Sequence, residues 1–234
     1  KGGGNGDYHL LTYAPSSVQE AVDIMMFAYD KAEQYRIPVL FIADGIIAQM
    51  MEPVEMPEMV EFKIDPEKKP WACTGWKPGD DPEKRGVINS IYIDTESLSE
   101  HNAVLQAMYA EVTKNEKMWE NYNCEGAEYI ITAFGTVARI AKSAIDQLKA
   151  EGINVGLVRP ITVWPFPYEA VAEAANADGV KAVLDVELNE GQMIEDVKIA
   201  VNGAKPIDFF GHCGSQMPTT DEIVAKIKSM KEGK

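Results

Sequence analysis

The sequence predicts an α/β protein built around a parallel sheet. From Glu125 onward, strand-like and helix-like segments alternate, and their lengths suit strands joined by helices that cover the faces of a sheet. A further strand–helix–strand pattern stands near the start of the chain. Within the alternating part, residues 155–167, VGLVRPITVWPFP, predict a buried strand that runs into a turn rich in proline and aromatic residues.

The N-terminal pattern predicts one β-α-β unit within residues 1–50. The stretch YHLLTY predicts a strand, and Ser17 with Glu20 has the spacing of a capping box that opens a helix. A second strand, VLFIA, follows Pro38 and ends at Asp44-Gly45. Because one such unit cannot close a core, we expect it to pack against the C-terminal domain or to pair with another copy.

Residues 51–122 predict an extended connector followed by a surface helix. Prolines and charges dominate the first part without a sustained period, and residues 97–122 have the composition of one charged helix. Residues 123–234 then form a domain of their own. Its predicted strands are EYIITAF, VGLVRPIT, KAVLDVEL and PIDFFG, and its predicted helices cover residues 136–150, 168–177, 192–201 and 220–230.

Helix ends in this C-terminal domain carry local signals. Gly152 is placed to end the first helix, and two residue pairs have capping-box spacing. These pairs are Asn189 with Gln192, and Thr219 with Glu222.

The turn of VGLVRPITVWPFP has two interpretations of equal weight. Pro160 cannot donate to a ladder, so the regular strand must end near it, and Pro165 and Pro167 stiffen the turn itself. Trp164 and Phe166 supply large apolar faces. The turn is either a rigid, well-packed loop or a surface that receives a partner, since aromatic anchors are typical of interfaces.

Composition excludes several classes of function. The 234 residues carry a net charge of −15, which makes nucleic acid and anionic membranes poor partners. No apolar run is long enough to span a membrane, and no signal peptide is visible, so we expect a cytoplasmic protein. The three cysteines show no CxxC spacing, so they favour free thiols and are too few to hold an iron–sulfur cluster alone.

Few residues suggest chemistry. Asp44 closes a strand at the carboxyl end, where open α/β sheets place ligands, so it is a weak cofactor-binding candidate against a simple turn-forming Asp-Gly. Gly135 opens a helix but lacks the further glycines of a dinucleotide fingerprint. Gly191 opens another helix and follows Glu187 and Glu190 in the sequence, and the charge of these glutamates would repel a phosphate.

His212 and Cys213 invite a nucleophile-and-base interpretation, but adjacent side chains seldom face one another. An incidental loop is therefore favoured. From the residues alone we assign no catalytic residue and no metal ligand.

Several long segments resemble one family. GGGNGDY, APSSVQEAVD and PVLFIADGIIAQMMEPVE are similar to the later part of the thiamine-diphosphate pyrimidine-binding domain of 2-oxoacid:ferredoxin oxidoreductases. GTVARIAKSAIDQLKAEGINVGLVRPITVWPFP and VELNEGQMIEDVKIAVNG resemble the domain that follows, which is transketolase C-terminal-like. The resemblance covers nearly the whole chain and is strongest to the α subunit of the branched-chain, 2-oxoisovalerate type.

The resemblance implies CoA-dependent oxidative decarboxylation of a 2-oxoacid, with electrons passed to ferredoxin. It implies thiamine diphosphate and magnesium bound together with a β subunit, iron–sulfur clusters on a separate ferredoxin-like subunit, and a γ subunit as a further partner. A homodimer is left open. Trp164 and Phe166 become candidates for a structural and subunit-contact role.

The family's catalytic residues have no counterpart in this sequence. A glutamate acting on the cofactor, a threonine and an arginine contacting substrate, and a GGPSTG loop all precede the position of Lys1. We therefore expect a C-terminal fragment that is inactive alone and binds no cofactor by itself. The sequence GHCG at 211–214 also departs from relatives, which carry an arginine and paired glycines there.

Other interpretations remain. The chain could be a non-catalytic docking module of such a complex, a relative of the pyruvate or 2-oxoglutarate type, or a chain of another thiamine enzyme.

Overall fold

The computed structural model describes residues 6–58, 69–73, 75–214 and 216–233. These form two compact units, and the first combines the residues up to Glu55 with those from Ala107 onward. The second unit is Met56–Gln106. In the described part of the chain, no helix is both long and apolar enough to cross a membrane.

The N-terminal stretch of the first unit is the predicted β-α-β unit. It comprises β1 (Leu11–Tyr13), α1 (Val18–Tyr35), β2 (Val39–Phe41) and α2 (Gly45–Gln49), with β1 and β2 parallel. Ser17 caps α1 by accepting from the backbone N–H of Glu20. The Glu20 carboxylate binds the backbone N–H of Ser16 at 2.6 Å, so this half of the capping box lies one residue earlier than expected.

The second unit contains a short 3-10 turn at Pro82–Lys84 and the start of α3 (Thr95–Asn115). Part of the predicted connector, residues 59–68 and 74, lies outside the described residues. Tyr92 stacks on His101 with a centroid separation of 4.5 Å.

The helix predicted over 97–122 is wrong in its last turns. The helix α3 ends at Asn115, and β3 (Trp119–Tyr122) follows as an antiparallel edge strand. Its side chains alternate between more and less exposed, which suits a strand with one face on the core.

The main sheet has the strand order β3-β5-β4-β7-β8. Its other strands are β4 (Tyr129–Thr132), β5 (Val155–Pro160), β7 (Ala182–Glu187) and β8 (Ile207–Gly211), and all of these run parallel. The α/β prediction is confirmed, while the antiparallel β3 makes the sheet mixed. As expected, the β5 ladder ends at Pro160.

Helices cover both faces of the main sheet. One apolar cluster joins it to α4 (Gly135–Ala150) and α7 (Thr220–Glu232), and a second joins it to α5 (Tyr168–Asn176) and α6 (Met193–Val201). Thr219 and Glu222 form the predicted capping box of α7. Gly152, with φ +80°, follows the end of α4 as predicted.

The strand β6 (Thr162–Trp164) connects the two sheets of this unit. It pairs antiparallel with β1, which gives a three-stranded sheet in the order β2-β1-β6. The Ala14 N–H also donates to the Ile161 carbonyl at 2.8 Å. Of the two outcomes expected for residues 1–50, packing against the C-terminal part is therefore the one observed.

Candidate functional site

A cleft of about 650 Å³ opens where the carboxyl ends of β2, β4 and β7 meet. This edge is where α/β sheets place ligands, because the loops that follow parallel strands converge there. The walls combine apolar side chains with carboxylates. The lining residues are Ile42, Ala43, Asp44, Phe134, Gly135, Val137, Val163, Val186, Glu187, Leu188, Asn189, Gly191, Gln192, Met193, Glu195 and Asp196.

Asp44, the weak candidate from the sequence, lies in this cleft between two helix N-termini. Its Oδ1 accepts from the amides of Ile46 and Ile47 and so caps α2. Its Oδ2 accepts from the amide of Thr136 in the first turn of α4, at 3.1 Å. A side chain on Gly135 would place Cβ 3.2 Å from this oxygen, and the φ of +60° there favours glycine.

The hydrogen bonds keep Asp44 charged. Burial alone would raise its pKa, but the bonds from Thr136, Ile47 and Ile46 outweigh burial and hold the pKa below its ordinary value. The carboxylate therefore already occupies the places at α2 and α4 where an anionic ligand would bind.

Glu187 does the same at the start of α6. Its buried carboxylate accepts from the amides of Gln192, Met193 and Ile194, at distances between 2.9 and 3.2 Å. It also accepts from the Asn189 side-chain amide at 3.0 Å. These bonds complete the helix N-terminus without any ligand.

The capping box predicted from Asn189 and Gln192 is wrong. Asn189 Oδ1 accepts from the amide of Gly191 at 2.7 Å, which closes a local turn, and α6 starts only at Met193. Glu187 provides the cap from the end of β7. In the sequence, Glu187 suggested only a repelling charge. The signal that could have found its role is a glutamate at a strand end, followed by Leu-Asn-Glu-Gly and a helix.

Two more buried carboxyls lie beside Glu187. The Tyr168 hydroxyl donates to Asp196 at 2.5 Å, and the Thr132 hydroxyl donates to Asp185 at 2.6 Å. Burial, and then Asp196, raise the pKa of Tyr168. None of the described residues that line the cleft is a lysine, arginine or histidine, so the cleft favours neutral or cationic groups over phosphates.

The other candidates stand apart from this cleft. Glu190 lies beside the Cys213 thiol and raises its pKa, which disfavours the thiolate a nucleophile needs. His212 instead lies 3.3 Å from Glu222. The nucleophile interpretation gains no support, in line with the incidental loop favoured from the sequence.

Trp164 and Phe166 pack within the first unit. The Trp164 ring stacks on His9 at a centroid distance of 4.6 Å and meets Tyr109 edge-on at 5.8 Å. Phe166 is only 2% exposed and contacts Tyr168. Their subunit-contact role stays a prediction, and of the two only Trp164 has surface to offer a partner.

Two family models match the chain. Residues 5–121 match the model described as pyruvate flavodoxin/ferredoxin oxidoreductase, thiamine diphosphate-binding. Residues 127–223 match pyruvate:ferredoxin oxidoreductase core domain II. The chain belongs to the 2-oxoacid:ferredoxin oxidoreductase family.

Several members of this family align with almost the whole chain. Ketoisovalerate oxidoreductase subunit VorB of Methanothermobacter marburgensis is 39% identical over 98% of the chain and 63% of the relative. The 2-oxoglutarate synthase subunit KorA of Methanocaldococcus jannaschii is 30% identical over 94% of the chain and 64% of the relative. The chain thus spans less than two thirds of the length of these relatives.

A solved structure agrees on the fold. A 2-oxoglutarate:ferredoxin oxidoreductase from Magnetococcus marinus, with 2-oxoglutarate, coenzyme A and succinyl-CoA bound, superimposes with a TM-score of 0.71 at 20% identity. The match covers 97% of this chain and 43% of that one.

Thiamine diphosphate is the cofactor that the family implies, and the cleft does not fit its diphosphate. Asp44 and Glu187 already take the amides of three helix N-termini, and the described lining has no cation to balance a diphosphate. Among the described residues, no group of three or more His, Cys, Asp or Glu is arranged to hold a metal ion.

Proposed function

We propose that the chain works as part of the α subunit of a 2-oxoacid:ferredoxin oxidoreductase acting on a branched-chain 2-oxoacid, 2-oxoisovalerate. The reaction is a CoA-dependent oxidative decarboxylation that passes electrons to ferredoxin. The observation that carries the substrate class is a difference in identity over nearly the same residues. The ketoisovalerate subunits reach 38–39%, whereas the 2-oxoglutarate and pyruvate subunits reach 25–30%.

The proposal assigns thiamine diphosphate and magnesium to a site completed by a β subunit. The acidic cleft supports this division, because a diphosphate needs cations and free amides that another chain must supply. Iron–sulfur clusters fall to a ferredoxin-like subunit, and a γ subunit completes the complex. The three cysteines, none spaced as CxxC, are consistent with clusters held elsewhere. We place the complex in the cytoplasm.

Exposed apolar side chains support a chain that docks with other subunits. On the first unit these include Met25, Met26 and Tyr29 of α1, and Tyr29 is 72% exposed. On the second unit they include Val87, Ile88, Ile91 and Ile93. Apolar surface at neighbouring positions is typical of an interface.

The proposal retains Asp44 as this chain's candidate cofactor-site residue, contacting a part of the cofactor other than its diphosphate. Its position at the carboxyl end of β2 supports that role, and its bonds to α2 and α4 hold the carboxylate still.

The test is an assay of the complex assembled from this subunit and its partners. With CoA and ferredoxin, we expect faster ferredoxin reduction on 2-oxoisovalerate than on pyruvate or 2-oxoglutarate. A complex that prefers either of the other two acids contradicts the substrate assignment. In the same assay Asp44→Asn should lower turnover, whereas Asp178→Asn, at an exposed position after α5, serves as the matched control.

A further inference from the structure

Asp185 and Glu187 place two carboxyl groups on one face of β7. Alternate residues of a strand point to the same side, so both share the face of Val183, which packs against α5 and α6. Neither side chain reaches solvent, since Asp185 is 0% and Glu187 1% exposed.

The two carboxyls are not equally supplied with donors. Glu187 accepts from the backbone amides at the start of α6 and from Asn189. Asp185 Oδ1 accepts from the Thr132 hydroxyl. Asp185 Oδ2 is buried and accepts no hydrogen bond from the described residues.

The charged groups around β7 do not offset a negative charge on Asp185. Facing this part of β7, α5 contributes Tyr168, whose hydroxyl is bound to Asp196, and α6 contributes Glu195, Asp196 and the exposed Lys198. The loop after β7 adds Glu190, and Asp44 lies across the cleft. On the neighbouring strand β8, Asp208 is paired with Lys226 of α7. A second buried negative charge would therefore stand among other acids.

Two adjacent carboxylates in a buried site cannot both ionise at neutral pH, because each disfavours the charge of the other and neither is solvated. We propose that Asp185 is a neutral carboxylic acid at neutral pH and donates its proton as a hydrogen bond to Glu187. Glu187 is the charged member because it has the amides. Burial and the neighbouring Glu187 raise the pKa of Asp185 to about 9, in agreement with this assignment.

The proton sits behind one wall of the cleft. Glu187 lines the cleft and holds the first amides of α6, so the bond from Asp185 fixes the carboxylate that shapes this wall. Ionising Asp185 places a second negative charge beside Glu187 and loosens the start of α6. The protonation of Asp185 therefore controls how firmly the α6 wall of the cleft is held. This holds whichever reaction the cleft serves.

The sign of the pH dependence follows from linkage. Between the ordinary pKa near 3.8 and the folded pKa of about 9, the folded chain holds one proton that the unfolded chain has lost. The stability that protonated Asp185 contributes is complete below about pH 3.8, falls as the pH rises, and is lost above about pH 9. Asp185→Asn keeps the shape and a donor but cannot titrate.

The first experiment is urea unfolding of the chain and of Asp185→Asn from pH 5 to pH 10. The unfolding constant of the wild type, relative to that of the variant, should rise about tenfold per pH unit between roughly pH 5 and 8 and level off near pH 9. The exposed Asp178→Asn should show no such slope over that range. Parallel profiles for the wild type and Asp185→Asn would overturn the proposal.

A second measurement does not depend on the variant folding. In wild-type chain with carbon-13 in the aspartate carboxyls, one resonance should have the shift of a neutral acid at pH 7 and move only above pH 8. If every aspartate resonance is already that of a carboxylate at pH 7, the proposal is wrong.

Discussion

Arg159 joins the N-terminal stretch to the main sheet through charged hydrogen bonds. Its Nη1 and Nη2 donate to the two oxygens of Glu20 at 2.9 and 2.8 Å, and Nε donates to Glu120 at 2.8 Å. The guanidinium is almost completely buried. Burial opposes its charge, but the two carboxylates raise the pKa of Arg159 overall, so the group stays ionised.

Replacing Arg159 by Met should cost about 3–5 kcal/mol of unfolding free energy, because Glu20 would lose the cation that offsets its burial, whereas Glu120 would keep only Lys142. Arg159→Lys should cost less, since it keeps the charge and loses the two-pronged contact. Urea unfolding at pH 7 measures both. As a control, Lys228→Met breaks an exposed pair with Glu151 and should cost at most about 1 kcal/mol. Equal losses for Arg159→Met and the control would refute the claim.

The helix α6 begins in a turn that the neighbouring strand packs closely against. A Cβ at Gly211 of β8 would come 2.3 Å from the Asn189 carbonyl, so the turn can sit there only beside a glycine. The Glu187 carboxylate, at the end of β7, then accepts hydrogen bonds from the first amides of α6. Together these contacts place Gln192 and Met193 at the cleft.

Glu187→Gln should loosen the first turn of α6, because the amide nitrogen of glutamine cannot accept from the N–H groups that now share two oxygens. We expect a loss of about 2 kcal/mol. Hydrogen exchange at the amides of 192–194 should rise with it, while the amides of the β7 ladder stay protected. The control is Glu190→Gln, an exposed residue of the same turn. Unchanged exchange at 192–194 in Glu187→Gln would contradict this account of the cap.

Charge sets what the molecule can hold by itself. The chain has a net charge of −15, and the cleft contributes carboxylates without a cation in its described lining. A diphosphate would meet repulsion there and find the helix amides taken.

Isothermal titration of the chain with thiamine diphosphate and magnesium should therefore show no saturable binding in the micromolar range. The assembled complex should bind under the same conditions and serves as the positive control. Saturable micromolar binding by the chain alone would show that its own residues supply a cofactor site.

Features that depend on the pattern of neighbouring residues can be predicted from the sequence. Features that depend on contacts between residues far apart in the sequence cannot. The parallel strands and covering helices follow from hydrophobic patterns within each segment, and Thr219 with Glu222 from a short spacing rule. The strand β3 was missed because four residues at an edge carry little pattern, and its partner β5 lies far along the chain. The position of Asp44 was suggested, but its contact with Thr136, 92 residues away, was not. Glu187 was misjudged because its role depends on how β7 and α6 meet.

The passage from β5 to β6 has a consequence for how the chain can be divided. Ile161 alone separates a strand of the main sheet from one that pairs with β1. A protein piece starting near residue 123 would thus carry away β6 and leave β1 with an open edge, which is a hazard for aggregation. Two pieces separated within residues 56–106 would instead retain complementary strands and, once mixed, could rebuild the shared sheet. Along the sequence, the second unit is thus an insertion into the first.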